Sequence, residues 1–346
     1  MLKRENFQIE NIQQLQNVYK KDPALLERVI YAFGLLEALC QTDLPFIFKG
    51  GTSLMLLLDH PMRLSTDIDI IVPPGTDIDA YIHKASEIFP FRSCEEQLRV
   101  GKNNIVKRHF KFIYSSPLHG KDFHILLDVL FANSPYVELI QKEIHNELLQ
   151  VTGPAITVSM PSLESILGDK LTAFAPHTTG VLLGVGKSLE IAKQLFDVSV
   201  LTDSLLKQDV VVRSYDKAVI EELAYRGLPL TRSDVLKDTI RACASIISRG
   251  TLDADDYKEY IKGIRSVESH ILANDYSGEI AAEQACKVMY LAACVLTGAK
   301  FQKIAHPERY LDQNLGNSIY KKLSYMKKRK LEAYGYLVEA VRMLEN

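Results

Sequence analysis

Apolar residues recur along the chain with two periods. In residues 25–40 (LLERVIYAFGLLEALC), Leu25, Leu26, Val29, Ile30, Phe33, Leu36 and Leu39 return at three- and four-residue steps, which predicts helix within residues 9–42. After Pro45 a short apolar run, Phe46 to Lys49, reads as a strand that Gly50-Gly51 ends, and residues 52–58 read as helix. The β-branched run 68–72 (IDIIV) stops at Pro73-Pro74 and predicts a second strand. Residues 76–89 fit a helix capped by Thr76 or Asp77. Residues 105–114 and 123–131 are strand-like, joined by a Ser-Ser-Pro and His-Gly hairpin turn, and 155–160 predict a last strand before Pro161. From residue 162 the pattern is mostly helical, with boundaries near 180–186, 227–229 and 250. There is no internal repeat. The expected architecture is α+β: a mixed β-sheet flanked by helices over residues 1–160, then a mostly α-helical domain over 161–346.

Composition narrows the class. Hydrophobic residues are 47% and charged residues 24%, which excludes a disordered chain. Lys plus Arg is 41 against 43 Asp plus Glu, a formal charge of −2, so any polyanion must be held by a local patch. The N-terminus, MLKRENFQIENIQQ, lacks the apolar run of a signal peptide, and no apolar stretch reaches the roughly 20 residues of a membrane span. The five cysteines (40, 94, 243, 286 and 294) show no paired CxxC spacing and read as free thiols of a cytoplasmic protein.

The chemistry concentrates in residues 48–72, FKGGTSLMLLLDHPMRLSTDIDIIV. Gly50 and Gly51 let a backbone approach a phosphate, the following helix start offers unpaired N–H groups, and Thr52 and Ser53 can add hydroxyl donors. A Gly-Gly turn alone would be only a turn. Asp67-Ile68-Asp69 follows on the next strand, where residues i and i+2 share a face, so both carboxylates point one way. A bare DxD reads as a solvated edge; a DxD after GG–TS reads as a hard oxygen site for Mg²⁺ and phosphates. Asp128 lies in an apolar strand, HILLDVLF. It is either paired with an Arg or a cap, or it faces Asp67 and Asp69 from a neighbouring strand. Three carboxylates could hold two metals about 4 Å apart, or one metal beside an activated hydroxyl.

This segment resembles the nucleotidyltransferase superfamily related to DNA polymerase β. More specifically, Gly50-Gly51-Thr52-Ser53 followed by Arg63-Leu64-Ser65-Thr66-Asp67-Ile68-Asp69 resembles the AbiEii/AbiGii-type nucleotidyltransferase toxins of toxin–antitoxin and phage-abortive-infection systems. Residues 162–171 (SLESILGDKL) resemble the family's lysine motif, and 190–198 (EIAKQLFDV) its closing motif. The resemblance spans residues 46–200 and ends near 205. It implies a polymerase-β-like core in which Asp67 and Asp69 ligate Mg²⁺, or Mn²⁺, and the NTP triphosphate. It further implies that Lys170 contacts the phosphates and that Asp197 is an essential acid near the nucleotide or orienting Lys170. For some members the acceptor is an RNA end such as a tRNA 3′ terminus, and a cognate antitoxin is the expected partner.

The residues themselves support these roles unevenly. Lys170 lies close to the apolar stripe of Leu163, Ile166, Leu167 and Leu171, so it leans inward or snorkels. Asp197 sits on an apolar helical face, where a partnership with Lys170 or Lys193 would satisfy it. Arg63 can clamp a phosphate or pair with Asp67, and both readings stand open. Ser65 reads as a turn cap, and His177 as a loop histidine within 173–186.

Near the C-terminus six cations (Lys321, Lys322, Lys327, Lys328, Arg329 and Lys330) interleave with Tyr320, Tyr325, Tyr334 and Tyr336. On a helix they could hold RNA phosphates and stack on bases, or form a solvated helix with its tyrosines in the core. The leading expectation is therefore NMP transfer from an NTP to an RNA 3′ hydroxyl by a toxin. The alternatives are transfer to a small molecule or protein hydroxyl, and a nucleotide-binding partner protein without turnover.

Overall fold

The structure, a computed structural model, describes residues 1–97, 107–273, 275–316 and 319–345. Residue contacts divide the chain into two units. One is Met1–Ser162 with Ser269–Asn274, and the other is Leu163–Glu268 with Asp275–Asn346. The chain is α+β, with the mixed sheet in the first unit and a helical second unit.

The first unit holds β1 (Ile47–Lys49), β2 (Ile68–Val72), β3 (Phe91–Glu96), β4 (Lys107–Ser115) and β5 (Asp122–Phe131) in the order β1-β2-β5-β4-β3. Among the described residues the β2–β5 pairing is parallel and the other pairings of this sheet are antiparallel. A parallel pair needs a long crossover, and here it runs through α4 (Asp79–Ser86), β3 and β4. A separate antiparallel pair joins β6 (Leu139–Glu143) to β7 (Thr157–Pro161). β3 (FRSCEE) and β6 (LIQKE) are largely exposed and polar, and so give no strand period in the sequence. Residues 105 and 106 of the expected third strand lie outside the described residues.

The expected helix over 9–42 is two helices, α1 (Ile9–Tyr19) and α2 (Pro23–Cys40). Lys20 turns left-handed, and α2 starts afresh with Pro23 in its first turn. There Asp22 accepts from the Ala24 and Leu25 N–H groups. The helix expected over 76–89 starts at Asp79, whose N–H donates to Asp77 Oδ1.

Between β1 and β2 lies α3 (Gly50–Leu57). The apolar side of α2 is buried almost throughout; of the two acids buried with it, Glu27 and Glu37, Glu27 is the deeper at 1% exposed. Its carboxylate accepts from Tyr114 Oη at 3.0 Å, Ser116 Oγ at 2.9 Å and the Leu118 N–H at 3.3 Å. Tyr31 stacks on Tyr114 with centroids 3.7 Å apart. This network ties α2 to the core face of β4, and each of its buried donors loses a partner if the acid is removed.

The second unit comprises α5 (Leu163–Ala173), α6 (Ser188–Asp203), α7 (Gln208–Arg226), α8 (Arg232–Ile247), α9 (Ala254–Val267), α10 (Gly278–Thr297), α11 (Met326–Arg329) and α12 (Leu331–Glu345). By length and composition α10 could cross a membrane, but 67% of its apolar window is buried, and it packs against α6, α8 and α12 as a core helix. All five cysteines are free. Burial raises the Cys40 and Cys94 thiols to about 12, with Glu37 adding to the first and Glu95 and Glu96 to the second.

Glu27→Ala should lower unfolding free energy by about 2–4 kcal/mol, read from urea denaturation, because it strands the Tyr114 and Ser116 hydroxyls.

Candidate active site

Strict alternation splits the central strands into two faces. Phe110, Phe112 and Tyr114 of β4, Ile125, Leu127 and Val129 of β5, and Ile68 and Ile70 of β2 are buried. The opposite face is half open and carries His109, Lys111, His124, Asp128 and Asp69. Register places Lys49 beside Asp69, Asp69 beside Asp128, and Asp128 beside His109. A single row across four strands thus reads cation, acid, acid, imidazole. His109 Nδ1 lies 2.6 Å from Asp128 Oδ1, with the imidazole 13% and the carboxylate 38% exposed. His124, on the same face, is held below the usual histidine range by burial and by the cations Lys111 and Arg28, against the pull of Asp67.

The glycine pair meets this row directly. Gly50 opens α3 in the left-handed region, φ +81°, and a Cβ there would collide with Asp69 Oδ2. A Cβ on Gly51 would fall 2.6 Å from Arg63 Nη2 and 2.8 Å from Ser65 Oγ. Arg63 is 5% exposed and its Nη1 donates to Leu64 O at 3.2 Å. The residues around it pair with the returning segment: Leu64 N–H donates to His270 O, and Leu272 N–H to Met62 O.

The hydrogen bonds and side-chain spacings bear on two further expectations. Thr52 and Ser53 are fully buried, and their hydroxyls donate to Asp67 O at 2.6 Å and Gly50 O at 2.8 Å. They clamp the turn. The three carboxylates do not form one cluster. Among the described residues no three His, Cys, Asp or Glu side chains lie close enough to hold an ion together. The physical reason is that Asp67 precedes the strand, where alternation no longer fixes its direction, and it lies 3.6 Å from Arg28 Nη2 of α2. What remains is a two-carboxylate shelf, Asp69 and Asp128. Its all-oxygen donors and the Gly50 cradle against Asp69 suit Mg²⁺, which uses one or two protein carboxylates and completes its shell with phosphates and water.

In the second unit, Lys170 Nζ lies 2.9 Å from Asp197 Oδ2 and donates to Gln194 Oε1 at 2.9 Å. The side chains are 8% and 1% exposed, so the pair is shielded from water. His177 is a clamp: its Nδ1 lies 2.8 Å from Asp238 Oδ1 and its Nε2 2.9 Å from Asp256 Oδ2.

The basic C-terminal segment is not one helix. It is a 3₁₀ turn, Ile319–Leu323, followed by the one-turn α11 and then α12. Tyr325 Oη donates to Ile247 O and Tyr334 Oη to Gln313 O, while Tyr336 Oη accepts from the Ile304 N–H. Arg329 pairs with Glu279 and Glu283. These tyrosines are anchored within their own unit, and the expected stacking platform is not presented; Lys328 and Lys330 remain exposed.

The profile of one family, described as nucleotidyl transferase AbiEii toxin of type IV toxin–antitoxin systems, matches residues 35–283, more than half of the chain. The chain belongs to the AbiEii family. It is therefore a nucleotidyltransferase of the type IV toxin class. No curated protein sequence matches it. Two solved Helicobacter pylori structures are similar to this chain. JHP933 is 13% identical with TM-score 0.44, covering 79% of this chain and 93% of that one. A candidate nucleotidyltransferase is 12% identical with TM-score 0.46, covering 79% and 96%.

Sequence reasoning missed Lys49, Arg28 and His109. Alternation in KRHFKFIYS puts His109 on the open face, but only register shows that it meets Asp128.

In this AbiEii member Gly50→Ala should cost about 1–2 kcal/mol in stability and displace the Asp69 carboxylate, reducing nucleotidyl transfer. Gly75→Ala, also left-handed at φ +79° but with open space around it, should cost stability alone, as urea melts and transfer assays would show. Lys170→Met should destabilise by about 3–5 kcal/mol by stranding the buried Asp197 charge, and Lys170→Met with Asp197→Leu should recover much of that loss in the same melts.

Proposed function

We propose that the protein moves a nucleoside monophosphate from an NTP to an RNA 3′ hydroxyl, with a tRNA end as the favoured acceptor. The observation that supports this most is the register pairing of Asp69 with Asp128 beside the Gly50 helix start. The acceptor oxygen forms a bond to the α-phosphorus while the bond to the pyrophosphate oxygen breaks in line with it. Asp69 and Asp128 would hold Mg²⁺, or Mn²⁺. Asp67 can join by giving up its solvent-screened Arg28 contact, a weak one at 3.6 Å and 51% carboxylate exposure. The bound ion supplies charge neutralisation at the triphosphate. Gly50 and Gly51 keep side-chain bulk away from the helix start, where N–H groups and the dipole favour phosphate. Arg63, over Gly51, adds fixed positive charge beside that start. Lys170 and Asp197 are assigned to the activity on the family motif alone.

A cognate antitoxin protein is the proposed regulator, and the cytoplasm the proposed compartment. The exposed Lys328 and Lys330 are the part of the basic segment that supports RNA binding, which should weaken as salt rises.

Incubation of the protein with each labelled NTP, Mg²⁺ and total RNA should label RNA. EDTA should abolish the label, and Asp69→Asn should reduce it by more than roughly 100-fold. Labelling that survives Asp69→Asn would remove the assignment of the site. Label confined to protein or to a small molecule would replace the RNA acceptor with that class.

A further inference from the structure

We infer that His109 is a positioning residue that orients Asp128 for the cation; this rests on the metal-site reading above. A carboxylate that ligates a metal has two oxygens and free rotation, and a hydrogen bond to one oxygen fixes which way the other faces. His109 is placed to make that bond. Its strand is antiparallel to β5, with His109 and Asp128 directly in register, so the backbone brings the two side chains together without a turn or loop. The Nδ1 to Oδ1 distance of 2.6 Å is that of a short, charge-assisted bond. An ionised carboxylate can only accept, so Nδ1 carries the hydrogen and donates.

The surroundings hold the imidazole in place. His109 is 13% exposed in its side chain, beside the buried Phe110, on a strand paired along its length with β5. Asp128 is more open, 38% exposed, and has Asp69 on its other side. The order across the row is therefore a fixed donor, an anchored acid and a second acid that touches the glycine turn. An apolar residue at 109 would leave Asp128 able to rotate away from Asp69. Sheet strands position such a shell more tightly than loops would.

The test uses Mn²⁺ binding to the full-length protein without nucleotide or acceptor, read by electron paramagnetic resonance, with thermal unfolding to check folding. Asparagine places its amide nitrogen close to the position of Nδ1, whereas glutamine reaches further, to that of Nε2. His109→Asn should bind Mn²⁺ within about threefold of wild type, and His109→Gln and His109→Leu should bind it roughly 10-fold more weakly. The Mg²⁺ concentration for half-maximal transfer should rise by a similar factor in the latter two. Equal Mn²⁺ binding by wild type, His109→Asn and His109→Gln would overturn the inference, even if His109→Leu fails to fold. Asp69→Asn separates the two levels. If it abolishes Mn²⁺ binding while the His109 variants bind normally, only the role of His109 falls. If it too binds normally, the metal site falls and the inference with it.

Discussion

Asp69 and Asp128 stand side by side on β2 and β5, and the parallel pairing of those strands sets much of the architecture. Neighbouring strands are about 4.8 Å apart, so two ionised carboxylates at that spacing repel by roughly 3 kcal/mol at an effective dielectric near 20. The sheet tolerates this because the row is flanked by Lys49 in register with Asp69 and by His109 bonded to Asp128. It is also placed on the half-open face, where water screens it. A site built this way costs stability when empty of cations and gains most from a ligand that brings one. The parallel register further demands a crossover, which is why α4, β3 and β4 intervene between the two strands in sequence.

The local parts of this arrangement could be read from the chain, and the non-local parts could not. Gly50-Gly51 and the DxD are adjacent to breaks in hydrophobic period, so the end of β1 and the strand through Asp69 follow from short-range pattern, although the helix already starts at Gly50 and Asp67 falls just before β2. Asp128 followed from strand alternation. Its neighbours did not, because register between strands separated by a crossover has no local signature. Lys49 and His109 sit on antiparallel neighbours whose exact register depends on turn geometry, and Arg28 comes from α2, so none of the three contacts has a local signature. Polar strands such as LIQKE and FRSCEE gave no period to detect. The C-terminal tyrosines show the converse error: composition places basic and aromatic residues together, but whether a phenol faces solvent or donates to Ile247 O depends on packing outside the segment.

The second unit solves a different electrostatic problem. Lys170 and Asp197 lie among apolar helices, where either charge alone would be costly, and together with Gln194 they satisfy one another. This makes the lysine motif part of the stability of the helical unit as well as a candidate for chemistry. A variant at either position must be compared at matched foldedness before its activity is interpreted.

The six residues Ser269–Asn274 belong to the sheet unit although they lie far along the chain among helices. Through Ile271 they pair with the Arg63 segment, in which Met62 O and the Leu64 N–H find their partners. During synthesis those partners do not exist until the ribosome has moved from Ser162 past Ser269, at a pace of about 5–20 residues per second. The segment that carries the buried arginine is thus left without its pairing for several seconds after the strands around it have emerged. The nascent chain has its carboxylate strands early and its arginine anchor late. For a toxin this delays the finished sheet unit until most of the polypeptide is made.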